Sequence, residues 1–557
     1  MMSQSDERNS ADTYKKIHLP ILLLATAMAY GISESVGYGD SPYYADEILQ
    51  GVLLEPGHLL WRPLGAVLNW MLQHMGYTGD LLWVLQGVSL VASVASVAAM
   101  FFFLLHWCSH RTALWGAALF GFSNGFWVYG ISGCSYSLSV LFVILAFIFA
   151  TPAKGMTTQT SRRVLFSGFC GGLAALSWLI QGLNLPFLLI SNILFLGRLR
   201  DIGLKQTVTV GALFLTVYLG TLGLPLVGAY MGMSLLGTPL YVGTGLEGIG
   251  FLSWITSASH GIRTTFGLAQ ILRLVLGWAQ SMVSLGDFGA QVRLWLLDGK
   301  GVMTLSLAIG FLKLSLFYLS VMGAIWLIWK RKSTVLLEEH KTILVIGVGA
   351  LLANFMFSLN WKATDLERYL PSAPFLVLGF SIAFDNLRID QGQRKPHGKL
   401  AWLITIGIII CLNWTGTVAP ALSTDSYKQQ WLTAIRQHMN HDDLLIILGA
   451  KKYAVGDPHN AKMPRMLNLS MQIILRSDPT EWKDLTLDWI RETRDHGGRV
   501  LLGDSILGLD SSPRDGWSFR EYPVPSPKDL DDFFGPMKGD IFFSVAGERV
   551  WLAKPLP

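Results

Sequence analysis

The segment GYGDSPYYADEILQG, residues 37 to 51, carries three carboxylates, Asp40, Asp46 and Glu47, beside the tyrosine pair Tyr43 and Tyr44. The stretch EPGHLLWRPLG follows shortly after and sets His58 and Arg62 among apolar neighbours. Far downstream, WKATDLERYLPSAPFLVLG, residues 361 to 379, supplies Lys362, Arg368 and Tyr369. A carboxylate can take the proton of an attacking hydroxyl. Arginine and lysine can neutralise a phosphate or another developing anion through charge-assisted hydrogen bonds. Each residue also has a plain structural alternative. Asp40 can cap a helix N-terminus with Pro42 in the first turn, Lys362 and Arg368 can snorkel from helix ends, and His58 can be a satisfied interface histidine. Capping does not explain why the following helix carries Tyr44, Asp46 and Glu47 next to apolar surface, where polar groups are costly unless they serve a cavity or a ligand.

The elements that must position these residues are read from composition. With 557 residues, 51% hydrophobic, 15% charged and a mean hydropathy of +0.43, the chain is too apolar for a soluble enzyme and reads as an α-helical polytopic membrane protein. A net charge of +5 gathered into no single patch implies no nucleic-acid partner. Cys108, Cys134, Cys170 and Cys411 lie in or beside apolar runs without CxxC spacing, so they are expected to be packing residues.

A bilayer core about 30 Å thick needs roughly 20 apolar residues per helix. Eleven runs qualify, near 18–36, 80–105, 113–131, 134–150, 164–181, 183–197, 206–231, 301–329, 342–360, 370–386 and 400–417. The first follows a polar tail, residues 1–17, and lacks a small-residue cleavage site, so it is expected to be a retained helix. Basic clusters then fall in every second connection: Arg111; Lys154, Arg162 and Arg163; Arg198, Arg200 and Lys205; Lys330, Arg331 and Lys332; and Arg388, Arg394, Lys395 and Lys399. The positive-inside rule makes that side cytoplasmic. Outer segments are then 37–79, 232–300, 361–369 and everything beyond about 418. The membrane domain spans 18–420.

In the long outer loop 232–300, GTPLYVGTGLEGIG follows no strand and opens no nucleotide-domain helix, which argues against a dinucleotide site. IRTTFGLAQILRLVLGWAQSMV reads as an interfacial helix with Arg263 and Arg273 on its wet face. Residues 421–557 change in composition. LLIILG, PTEWKDLTLDWIRETRDHGG, RVLLGD and IFFSVAGERVWLA predict strand, helix, strand and a closing hairpin, hence a small extracytoplasmic α/β domain.

The first outer loop resembles that of the integral-membrane glycosyltransferases of the GT-C superfamily, especially the protein O-mannosyltransferase and aminoarabinose transferase type. There the first helix leads into a loop of the form Asp-x-x-x-Tyr-Ala, then Gly, then a Pro-rich apolar stretch, matched here by Asp40, Tyr44, Ala45, Gly51 and EPGHLLWRPL. The Arg-Tyr and Leu-Pro pattern of residues 368–371 is similar to their late outer loop. The family often pairs two acids where this chain has Asp40 followed by Ser41, so Asp46 and Glu47 compete for the catalytic role.

The resemblance implies transfer of a sugar from a polyprenyl-phosphate donor to an acceptor on the outer face, with inversion. Asp40 would be the general base, Arg368 and then Lys362 would bind donor phosphate, and Tyr44, His58, Arg62 and Tyr369 would contact substrate. The acceptor can be a protein, a lipid or a glycan, and the setting a bacterial cytoplasmic membrane. No cofactor is expected: the resemblance leaves a divalent metal open, since its pyrophosphate-donor members use one, but Asp40, Asp46, Glu47 and His58 lack a metal-ligand spacing. A transporter or flippase is the main rival. It would place charges near the bilayer midplane, where Lys313 is the chief exception to an otherwise apolar set of spans. A noncatalytic assembly protein of the same architecture is the third reading.

Overall fold

The computed structural model describes residues 14–33, 41–49, 51, 53–79, 81–152, 161–199, 203–235, 268–286, 288–292, 295, 302–330, 338–360, 366–390, 397–422, 427–447, 464–469, 482–507, 527–545 and 547–555. Each of the eleven apolar runs contains helix among its described residues. Four helices among the described residues are long and apolar enough to cross a membrane by themselves: Leu81–Leu105, Leu204–Gly232, Leu305–Trp326 and His340–Asn360. Others are shorter, such as Leu19–Gly31 and Tyr136–Ala150.

One run is not a single helix. Residues 113–131 divide into His110–Gly121 and Asn124–Gly130, because Ser123 takes an extended conformation between them. Broken backbone at membrane depth is tolerated where protein satisfies the freed groups. Here the Asn413 side-chain amide donates to the Phe122 carbonyl at 2.8 Å and to the Met282 carbonyl at 3.2 Å.

Small residues set the packing between Leu81–Leu105 and its neighbour Tyr136–Ala150. Ser89, Ser93 and Ser96 recur at helical spacing, and their hydroxyls donate to the carbonyls of Cys134, Gly130 and Ser137. Ser137 returns a bond to the Ser89 carbonyl. Such side chains let helices approach closely and bind across the interface where no water competes. Cys108, Cys134 and Cys170 are buried as expected, whereas Cys411 is exposed on its helix and does not pack in the core.

Between the first helix and Leu81–Leu105 lie two further helices, Ser41–Leu49 and Trp61–His74, joined through a 3₁₀ turn at Pro56–His58. The late outer loop enters its helix, Ala373–Asp390, through a 3₁₀ turn at Leu366–Ser372. The helix expected at the interface, Leu268–Met282, packs through buried Leu274 against Tyr369, with Trp278 beside them. Arg263 lies outside the described residues.

The C-terminal segment forms a five-stranded sheet of order β2-β1-β3-β5-β4, with β1 Leu444–Ile447, β2 Arg465–Asn468, β3 Val500–Gly503, β4 Lys538–Val545 and β5 Glu548–Ala553. β1 runs parallel to β2 and β3, and the β4–β5 hairpin adds antiparallel on β3. Strand alternation sends Leu444 and Ile446 to one face, against Trp489 and Ile490 of helix Trp482–Asp495. Leu445 and Ile447 meet Trp431 and Ile435 of helix Tyr427–His438 on the other. Both faces are thus covered, as a parallel core requires.

Candidate functional site

The first outer loop is sewn onto the end of helix Ser161–Ser177. Glu55 accepts from the Gly57 amide at 3.1 Å and starts the 3₁₀ turn, and the Leu60 amide donates to the Leu176 carbonyl at 3.0 Å. This fixes His58, whose Nδ1 lies 3.0 Å from the Ser177 carbonyl and 2.7 Å from Ser135 Oγ. A carbonyl only accepts, so Nδ1 donates to it.

The imidazole sits between two tyrosine rings, with centroids 5.5 Å from Tyr44 and 5.8 Å from Tyr136. Tyr44, buried on the helix Ser41–Leu49, also receives the Arg62 guanidinium 5.2 Å from its ring centroid. Arg62 itself is only 2% exposed and pairs with Glu55, Nη1 to Oε2 at 3.7 Å. A buried charge persists only with such compensation.

From Tyr136 the cluster continues to the late outer loop. Tyr136 meets Tyr129 edge-on at 5.1 Å and Trp178 at 4.6 Å. The Tyr129 hydroxyl donates to Glu367 Oε2 at 3.1 Å, and Glu367 Oε1 lies 3.4 Å from Arg368 Nη2. Tyr44, His58, Arg62 and Arg368, more than 300 residues apart at the extremes, therefore belong to one contiguous polar and aromatic cluster. Every contributing segment lies at a helix end that the charge alternation assigns to the same side of the membrane.

Gly133 locates the cluster against the acid-bearing segment. Its φ of +79° suits glycine, and a Cβ there would meet the Ser41 Cβ at 3.2 Å. Ser41 follows Asp40 directly. Asp40 and Lys362 lie outside the described residues, as do the side chains of Asp46 and Glu47, although their backbones belong to helix Ser41–Leu49. Arg368, 14% exposed at its side chain, lies 3.4 Å from Glu367 Oε1 through its Nη2. The buried Tyr369 ring packs with Leu274, beside Trp278, Phe355 and Leu359.

Sequence reasoning missed Glu55, Glu367, Tyr129, Tyr136 and Ser135. Glu55 carried a usable signal, an acid directly before a proline at the first position of a turn. Tyr129 and Tyr136 lie within apolar runs and carried none. Among the described residues, no three of the His, Cys, Asp and Glu side chains are grouped to hold a metal ion.

No protein-family profile matches the chain, and no curated protein does. Among solved structures, the chain is similar to ArnT from Cupriavidus metallidurans bound to undecaprenyl phosphate. Identity is 11% over 98% of this chain and 100% of that one, with a TM-score of 0.41. The same ArnT in the apo state gives 12% identity over 96% and 99% of the two chains, with a TM-score of 0.36. The Archaeoglobus fulgidus oligosaccharyltransferase, in complex with zinc and sulfate, gives 13% over 96% and 73%, with a TM-score of 0.47. ArnT and the oligosaccharyltransferase are GT-C glycosyltransferases, the class named by the resemblance in the outer loops. At these scores the likeness stands as a similarity, and function is argued from the residues.

Proposed function

We propose that the chain is a membrane glycosyltransferase that moves a sugar from a polyprenyl-phosphate donor to an acceptor on the extracytoplasmic face, with inversion. The observation that carries this reading is the convergence of the two outer loops: Tyr44, His58 and Arg62 from the first join Glu367 and Arg368 from the second through Tyr136 and Tyr129. In the proposed reaction the acceptor hydroxyl oxygen attacks the anomeric carbon as the bond from that carbon to the phosphate oxygen breaks. The bonding pair leaves with the lipid phosphate, and Asp40 takes the hydroxyl proton, a role worth about 10²- to 10⁴-fold in rate.

Arg368, with Lys362 second, offsets the charge gathering on the phosphate. His58, through Nε2, accepts a hydrogen bond from a sugar or acceptor hydroxyl. Arg62 and Tyr44 shape the adjoining wall.

The test is transfer by purified protein from a polyprenyl-phosphate sugar. Asp40→Asn is nearly isosteric and caps a helix as well as aspartate does, so it is expected to melt like the parent and to lose nearly all transfer. Full activity in a folded Asp40→Asn protein would exclude Asp40 as the base and pass the role to Asp46 or Glu47. No consumption of any polyprenyl-phosphate sugar by the unsubstituted protein would leave the transporter or assembly readings in its place.

A further inference from the structure

Lys313 takes no part in the cluster above, yet it stands in the third turn of the apolar helix Leu305–Lys330. Charge at such a depth is costly and marks a site by default. A cavity of about 360 Å³ opens along one face of this helix. Its walls on that side are Leu305, Ser306, Ile309, Gly310 and Lys313, positions three or four residues apart that share a helix face. From Leu305 to Lys313 the helix rises about 12 Å. The cavity thus runs from the helix end, where lipid head groups lie, down to the ammonium.

The opposite wall is built, not accidental. Leu285 and Gly286 line it, and Ser284 beside them is fixed by a buried network. Its amide donates to Asn413 Oδ1 at 2.7 Å, and the Thr417 hydroxyl donates to Ser284 Oγ at 2.6 Å. The Ser284 carbonyl so held accepts from Lys313 Nζ at 3.1 Å, the one hydrogen bond of that ammonium among the described residues. The Phe288 ring lies so near Gly310 that a Cβ there would overlap it. Leu305 and Ile309, which line the cavity, and Leu312, which flanks it, are exposed apolar side chains that acyl chains can cover.

We propose that this cleft binds the phosphate of a membrane glycerophospholipid, with Lys313 as its cation. One ammonium matches the single negative charge of a phosphodiester, whereas a terminal phosphate carries about −1.5 to −2 at neutral pH and would ask for a second cation. The charge excludes a monoester such as the released polyprenyl phosphate; the intact donor is a phosphodiester too, and place separates it, because its phosphate must reach the outer-loop cluster, in which Lys313 takes no part. Asp287, between Gly286 and Phe288, lies outside the described residues and is included in the test.

The full chain, purified in detergent, is mixed with phosphatidylglycerol, and retained lipid is read by native mass spectrometry. Retention is expected in the parent and in Lys313→Arg, and a fall of about tenfold in Lys313→Met, equivalent to about 1.4 kcal/mol. Diacylglycerol, which lacks the phosphate, is expected not to be retained, and Asp287→Asn is expected to retain at least as much phosphatidylglycerol as the parent. Melting curves confirm that each variant is folded. Equal retention by Lys313→Met and the parent overturns the proposal, as does loss in Lys313→Arg, which assigns the effect to packing, or loss in Asp287→Asn. Displacement of the lipid by excess inorganic phosphate would make the site one for free anions and overturn the lipid assignment.

Discussion

At the level of single residues, the two arginines of the cluster are each compensated by an acid: Arg62 by Glu55 and Arg368 by Glu367. Removing one partner therefore strands the other, and a simple alanine variant would mix stability with chemistry. Arg368→Ala is expected to weaken donor use by about 1.5–3 kcal/mol if the guanidinium makes a charge-assisted bond to phosphate. The double variant Arg368→Ala with Glu367→Gln separates the effects, because it removes the stranded carboxylate. Donor use measured as kcat/KM should stay impaired in the folded double variant. Recovery there would assign the loss to the buried acid. The same pairing explains why part of the site was illegible: Glu55 and Glu367 look like ordinary loop charges until the fold closes them against Arg62 and Tyr129. Asp40, Lys362 and the Asp46–Glu47 pair stand out in the sequence by their position beside apolar spans, and their side chains lie outside the described residues.

At the level of elements, the helix Ser41–Leu49 is placed by its start. Gly133, with φ +79°, brings the turn before Tyr136 against Ser41 and Gln86. An alanine in a left-handed conformation costs about 1–2 kcal/mol, and its Cβ would also press on Ser41. Gly133→Ala is expected to lower the melting temperature and to cut turnover even in the fraction that remains folded, since Ser41 follows Asp40 and opens the helix bearing Tyr44. Unchanged turnover would separate this contact from the chemistry.

The C-terminal sheet has its own electrostatic anchor. Burial raises the Asp443 carboxyl, but the Arg499 side chain and the amides of Asn440 and Arg499 outweigh it and hold the group below the usual carboxylate range. A pKa depressed on folding gives stability that is complete above the unfolded value, about 3.9, and is lost as pH falls through the lower folded value. Acid unfolding of this segment should begin below about pH 4, and Asp443→Asn should flatten that limb when followed by circular dichroism. An unaltered acid limb would remove Asp443 as its source. The strands themselves were readable from LLIILG, RVLLGD and the terminal hairpin, because alternation and turn residues are local signals. The break at Ser123 was not, because the group that satisfies it, Asn413, lies 290 residues away.

At the level of the whole molecule, hydropathy and charge alternation gave the order of helices, and the structure adds a consistency that neither could supply. If the alternation were misread by one helix, the ends carrying His58, Ser135, Ser177 and Glu367 would be divided between two faces of the membrane. Instead they meet. Orientation, by contrast, rests on the basic loops alone, and three exposed positions test it. Met75 follows Trp61–His74 on the expected outer side, Leu204 begins its helix on the expected cytoplasmic side, and Asp540 lies on β4. In a background without the native cysteines, Met75→Cys and Asp540→Cys should react with a membrane-impermeant maleimide applied to intact cells. Leu204→Cys should react only after the membrane is opened. Labelling of Leu204→Cys from outside with protection of the other two would invert the molecule. The clustered residues would then remain together but face the cytoplasm, and a donor presented on the outer surface could not reach Asp40 or Arg368. Labelling of Met75→Cys with protection of Asp540→Cys would leave the cluster outside and instead add or remove one crossing between Ala373–Asp390 and the sheet.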